Sequence, residues 1–215
     1  MDNLMYMLFV SVSIPLFFMI LLVEKKSRLP IVFMFVGIFV ALFAAEVNGF
    51  LYKTLSIELH NMTATIIPVS EELFKALPIL YYALVISDKR EKLFTASMAT
   101  GIGFALLENA FYLINYSNLT MVGAIIRAIG SGLMHGMCTL LIGVGISFVK
   151  KKPKLFAVGT FGLLSTAIVY HGVYNILIHS QFSIVGALLP IATYIPFLIW
   201  RLRIKHRLNQ TSQKT

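Results

Sequence analysis

The chain has 215 residues, 58% of them hydrophobic and 13% charged, against about 25% charged in an ordinary soluble domain. With a mean hydropathy of +0.85, it is not a soluble globular protein but an all-α, polytopic membrane bundle. The formal net charge of +9 is no nucleic-acid signal, because the basic residues cluster between apolar runs; the single cysteine, Cys138, excludes a disulfide framework and a cysteine-rich zinc site.

A helix needs about 20 apolar residues to cross roughly 30 Å of hydrocarbon. Seven stretches qualify: residues 4–23, 30–52, 65–86, 93–114, 122–149, 155–178 and 183–200. The first follows Met1-Asp2-Asn3, which lacks a basic leader, and reads as a retained helix rather than a cleaved signal peptide. The second carries Glu46 and Asn48, read as structural or cavity-lining. The third holds Glu71, Glu72 and Lys75 between Pro68 and Pro78, and the fourth holds Glu108. The fifth has His135 beside a face of small residues (Ala128, Gly132 and Gly136) whose spacing favours close helix approach. Arg127, also on the fifth, is expected to snorkel or to pair with a carboxylate. The sixth carries His171 and Asn175. His60, His179 and His206 fall outside the spans and read as solvated. Residues 1–208 then form one integral-membrane domain, followed by a disordered cytoplasmic tail, 209–215.

All lysines and arginines except Lys53, Lys75 and Arg127 lie in four segments, 24–28, 87–92, 150–154 and 201–214. These alternate along the chain with weakly charged loops at 53–64, 115–121 and 179–182. The positive-inside rule then sets an N-out, C-in topology in a cell membrane.

An ionised carboxylate at mid-bilayer costs about 2.5–3.5 kcal/mol, so intramembrane ionisable groups mark function and face the protein interior. At a rise of about 1.5 Å per residue, Glu71, Glu72, Glu108 and His171 lie roughly 10 Å from the outer ends of their spans, and His135 about 15–20 Å. Four separate helices thus bring acids and imidazoles to nearly one layer, toward the extracytoplasmic side. Lys75 is one turn from both Glu71 and Glu72 and shares a face with either. One glutamate can therefore activate water while the other is held by Lys75. The expectation is a shared polar, hydrolytic, metal-dependent centre.

At these residues the chain resembles the PrsW family of intramembrane proteases, related to the CAAX-prenyl-protease and bacteriocin-processing membrane proteins. The matching elements are Glu71-Glu72-Leu73-Phe74-Lys75, Phe104-Ala105-Leu106-Leu107-Glu108-Asn109, His135-Gly136-Met137-Cys138-Thr139 and His171-Gly172-Val173-Tyr174-Asn175. The resemblance implies a protease that cuts a single-pass, membrane-anchored substrate within the lipid bilayer. The substrate class would be an anti-sigma factor, cut on its extracytoplasmic side as the first step of a stress response. It further implies catalytic roles for Glu71 as general base, Glu72 as its assistant or the partner of Lys75, His171, and Asn175 as oxyanion donor. Asn109 would orient a neighbour. Glu108, His135 and His171 would be the ligands of a divalent metal, with zinc the expected ion. Glu108 stands where the larger group has a histidine, so metal ligation does not transfer directly there. A metal-free version, with Glu and His alone activating water, fits the same spacing.

Other chemistries fit less well. There is no H-E-x-x-H, and the only aspartates, Asp2 and Asp88, lie outside the spans. Ser131 with His171 as base would leave the glutamates unexplained. The rival from another class is a proton-coupled or ion transporter, since intramembrane Glu, His and Lys also build relays. An idle scaffold that binds membrane peptides is a third possibility.

Overall fold

A computed structural model describes residues 3–115 and 120–212. Among them are eight α-helices and one π-helical turn: α1 (Asn3–Leu22), α2 (Lys25–Leu55), α3 (Leu59–Ala64), α4 (Ile66–Tyr81) continuing into the π turn Tyr82–Ile86, α5 (Arg90–Asn115), α6 (Met121–Ile146), α7 (Pro153–Ile178) and α8 (Ser183–Ser212). The all-α expectation holds. Five of these helices, α1, α2, α5, α6 and α7, are long and apolar enough to cross a membrane.

The other two expected spans take different forms. Residues 65–86 become a 16-residue helix and a five-residue π turn. Three of the helix's side chains are the charged Glu71, Glu72 and Lys75, so its apolar face is short. The seventh stretch gives a shorter apolar helix over Ser183–Pro196. The expected outer loop 53–64 is partly helical: α2 runs on to Leu55, ends at Ser56 in the left-handed region (φ 49), and α3 follows. Of the tail read as disordered, α8 covers residues up to Ser212; 213–215 lie outside the described residues.

Local chemistry explains the ends. Thr120 caps α6, its Oγ1 accepting from the Gly123 amide at 3.1 Å, which satisfies one of the helix's free N–H groups. Pro153 opens α7, where a missing N–H costs nothing. At 31 residues, α2 is about 46 Å long, more than the hydrocarbon thickness.

Close approach is set by glycines, though not those expected. A Cβ at Gly37 (α2) would collide with the Thr100 carbonyl of α5, one at Gly103 (α5) with the Met34 carbonyl of α2, and one at Gly101 (α5) with the His135 carbonyl of α6. The face read at Ala128, Gly132 and Gly136 is not the seam. Ala128 is exposed, and a Cβ at Gly132 would meet nothing. Only Gly136 is approached, by Met98. Without a hydrophobic drive between helices in lipid, such small-residue contacts are what bring backbones together. The hydroxyls of Ser97, Thr100 and Thr139 donate to carbonyls four residues back on their own helices, so they are buried without being left unpaired.

Candidate active site

Helix α4 sits across α2, α6 and α7 and presents Glu71, Glu72 and Lys75 to the interior. Glu72 and Lys75 are wholly inaccessible, and Glu71 is 7% exposed. Lys75 Nζ donates to Glu72 Oε1 at 2.6 Å and to His135 Nδ1 at 2.9 Å. It also lies 4.6 Å from the centre of the Phe104 ring. The i,i+3 pairing with Glu72 is thus realised. An ammonium can only donate, so Nδ1 of His135 accepts. Its Nε2–H then donates to Glu108 Oε2 at 3.0 Å.

The second histidine is held differently. Nδ1 of His171 donates to Glu72 Oε1 at 2.8 Å, turning Nε2 toward Glu71 Oε2 at 3.9 Å. The two imidazole rings stand nearly perpendicular, 85° apart, with centroids at 4.9 Å. Glu72 therefore braces one histidine directly and the other through Lys75. Gly172 makes room for this: a Cβ there would lie 2.7 Å from the Ala64 carbonyl oxygen.

Glu108 enters from α5. Its Oε2 accepts from Ser131 Oγ at 3.1 Å as well as from His135, and its Oε1 lies 3.7 Å from Arg127 Nη2. It is the most open acid of the site, with a side chain 33% exposed. Arg127, 9% exposed, stacks on Tyr112 at 3.4 Å. Arg127, Ser131 and His135 are four residues apart on α6. That repeat, legible in the chain, was the signal that Ser131 and Arg127 belong beside Glu108.

Glu71, His135 and His171 each offer one ligand atom, all within 4.8 Å of one another. Two imidazoles and a carboxylate are a donor set of catalytic zinc. Glu71 Oε2 is buried without a hydrogen-bond partner, an expensive arrangement that a cation would relieve. The Nδ1–H of His171 on a carboxylate is the support that metal-binding histidines usually have. The residues present fit a divalent ion provided that His135 gives up one of its two hydrogen bonds, to Lys75 or to Glu108, to free a ring nitrogen for it. The expected acid ligand, Glu108, also lies against an imidazole, 3.0 Å from His135 Nε2, while Glu71 faces His171, 3.9 Å from its Nε2. Between them is a cavity of about 90 Å³ lined by Glu71, Glu108, Phe104 and Met5 of α1. That is room for water, at on the order of 10–15 Å³ each.

Several other expected residues are placed elsewhere. Asn175 donates to the Thr63 carbonyl at 3.0 Å, tying α7 to α3. Asn109 Oδ1 is buried with no hydrogen-bond partner among the described residues. Glu46 accepts from Tyr6 of α1, and Asn48 Oδ1 from Ser70 at 2.6 Å, both structural. Ser131 is bonded to Glu108 and not to a histidine, which disfavours it as a nucleophile. His179, read as solvated, is exposed, with its ring centroid 6.3 Å from that of Tyr112; what burial it has holds its imidazole below the usual range.

Apolar spans that converge on a buried carboxylate–imidazole group, next to a small cavity, fit a hydrolase working inside a membrane. Residues 25–201 match the PrsW family of intramembrane metalloproteases, and the chain belongs to that family. It is a multi-pass membrane protease whose substrates are membrane proteins. No curated protein and no solved structure matches it.

Proposed function

We propose that the protein cleaves a single-pass membrane substrate, of the anti-sigma-factor class, near its extracytoplasmic side, using water activated at the Glu71–His135–His171 group. The observation that carries this is the buried, unpartnered Oε2 of Glu71 facing two imidazoles. In this reading Glu71, His135 and His171 would hold the ion, zinc by donor type, with His135 exchanging its hydrogen bond to Lys75 or Glu108 for the metal. A bound ion would polarise the peptide carbonyl and lower the pKa of water toward about 7. Glu108, open to the cavity, accepts the proton of the attacking water and returns it to the departing amine as the C–N bond breaks. The roles expected of Glu71 and Glu108 are thereby exchanged. Glu72 orients His171 directly and His135 through Lys75, and Arg127 and Ser131 hold Glu108. Asn175, committed to Thr63, is a positioning residue.

The placement rests on charge: the basic segments alternate with weakly charged ones in the manner of seven spans, N-out and C-in, with α4 and α8 completing the set. The metal content and activity of two variants test the assignment. Glu71→Gln should lose both the ion and cleavage of a co-expressed single-pass substrate. Glu108→Gln should keep the ion and lose about 10²–10⁴-fold in rate. If Glu71→Gln keeps its metal, the base role returns to Glu71. If both variants cleave at full rate, the site is wrong.

A further inference from the structure

A second, larger cavity lies apart from this chemistry, at the basic end of the bundle. It encloses about 720 Å³ between the start of α2, the π turn after α4 and the start of α5, within the roughly 300–1,000 Å³ of ordinary ligand sites. Its floor is apolar, with Leu29, Phe33 and Tyr82, and the Phe33 and Tyr82 rings meet edge to face at 5.1 Å. Its rim is basic. Lys25, Lys26, Arg28 and Lys92 stand there against one carboxylate, Glu91.

The four cations are not equivalent. Arg28 spends its donors on the Val23 and Leu21 carbonyls at the end of α1, at 2.9 and 3.4 Å. Lys26 is 2.8 Å from Glu24. Lys25 and Lys92 make no ion pair among the described residues, and both are exposed. An apolar slot topped by two unpaired ammonium groups is complementary to one kind of molecule in a bilayer, an anionic head with acyl chains. Basic pockets between membrane helices on the cytoplasmic side take such headgroups. The groove lies within the residues that match the family, and the match assigns it no ligand.

We infer that the groove between α2, the π turn and α5 binds an anionic phospholipid, its phosphate between Lys25 and Lys92 and an acyl chain over Leu29 and Phe33. The lipid would fill the foot of α4, the helix that carries Glu71, Glu72 and Lys75, and so brace it. This stands independently of the catalytic assignment, since no residue is shared.

Native mass spectrometry of the full-length protein in detergent, titrated with palmitoyl-oleoyl phosphatidylglycerol or phosphatidylcholine, tests it. The wild type should retain the anionic lipid at least tenfold better. Lys25→Gln with Lys92→Gln should remove that preference, at about 1 kcal/mol (some fivefold) per lysine. Lys150→Gln with Lys152→Gln, an equal loss of charge outside the groove, should leave it intact. Leu29→Trp, which fills the floor, should weaken retention while keeping the rim. Equal retention of both lipids, or equal loss in the Lys150/Lys152 variant, would overturn the inference. So would displacement of the bound lipid by an uncharged transmembrane peptide, which would make the groove a helix-docking site.

Discussion

Helices α1 and α6 are both apolar enough to span a membrane, and α1 is the more hydrophobic of the two. Yet 72% of the apolar window of α6 is buried inside the protein and only 11% of that of α1. In water the order would be reversed. In lipid, apolar side chains gain nothing by leaving the solvent, so burial follows small residues that admit a neighbouring backbone and polar groups that need partners. Helix α6 has both: Gly130, Gly136, Gly143 and Gly145 are buried, as are Arg127, Ser131, His135 and Thr139. Helix α1 carries Phe, Leu and Met on nearly every face, and its polar links to the rest are the Tyr6–Glu46 hydrogen bond and, at its end, the bonds from Arg28 to the Leu21 and Val23 carbonyls, among the described residues.

The difference can be broken at the core end first. Lys75→Met should be the most damaging change, because it strands Glu72 and releases His135. Removing one partner of a buried pair typically costs about 3–5 kcal/mol, readable as a collapse of thermal stability in detergent. Glu72→Gln should be milder, since the amide oxygen can still accept from both Lys75 and His171 as Oε1 does now, but without the negative charge. Metal affinity should fall by about 10–100-fold, measured by competition with a chelator. Gly101→Ala should force α5 from the His135 backbone and cost about 1–3 kcal/mol, with activity falling alongside stability. At the other end, Phe17→Leu on the half-exposed face of α1 should stay within about 0.5 kcal/mol. A large loss there would show that α1 is held by more than its lipid-facing surface.

The two ends also differ in what the chain disclosed. The buried acids and histidines stood out in the sequence because they are costly in a bilayer, and the structure brings all of them together. The i,i+3 and i,i+4 relation of Glu72 and Glu71 to Lys75 left two pairings open; the structure takes Glu72. Asn175 and Ala128 show the limits. Both lie at spacings that invite a role, but spacing gives a face of a helix and not what that face meets. Asn175 meets Thr63 of α3, a helix inside what read as a loop, and Ala128 is exposed.

Composition alone determined that this protein lives in a membrane as a helical bundle, because the length of an apolar run and the price of a charge within it are local quantities. The motif order likewise carried the family. Which carboxylate faces which histidine, and where the free volume lies, only the tertiary structure decided. Those depend on helix rotation and approach, set by backbone contacts at Gly37, Gly101 and Gly103 between residues far apart in the chain.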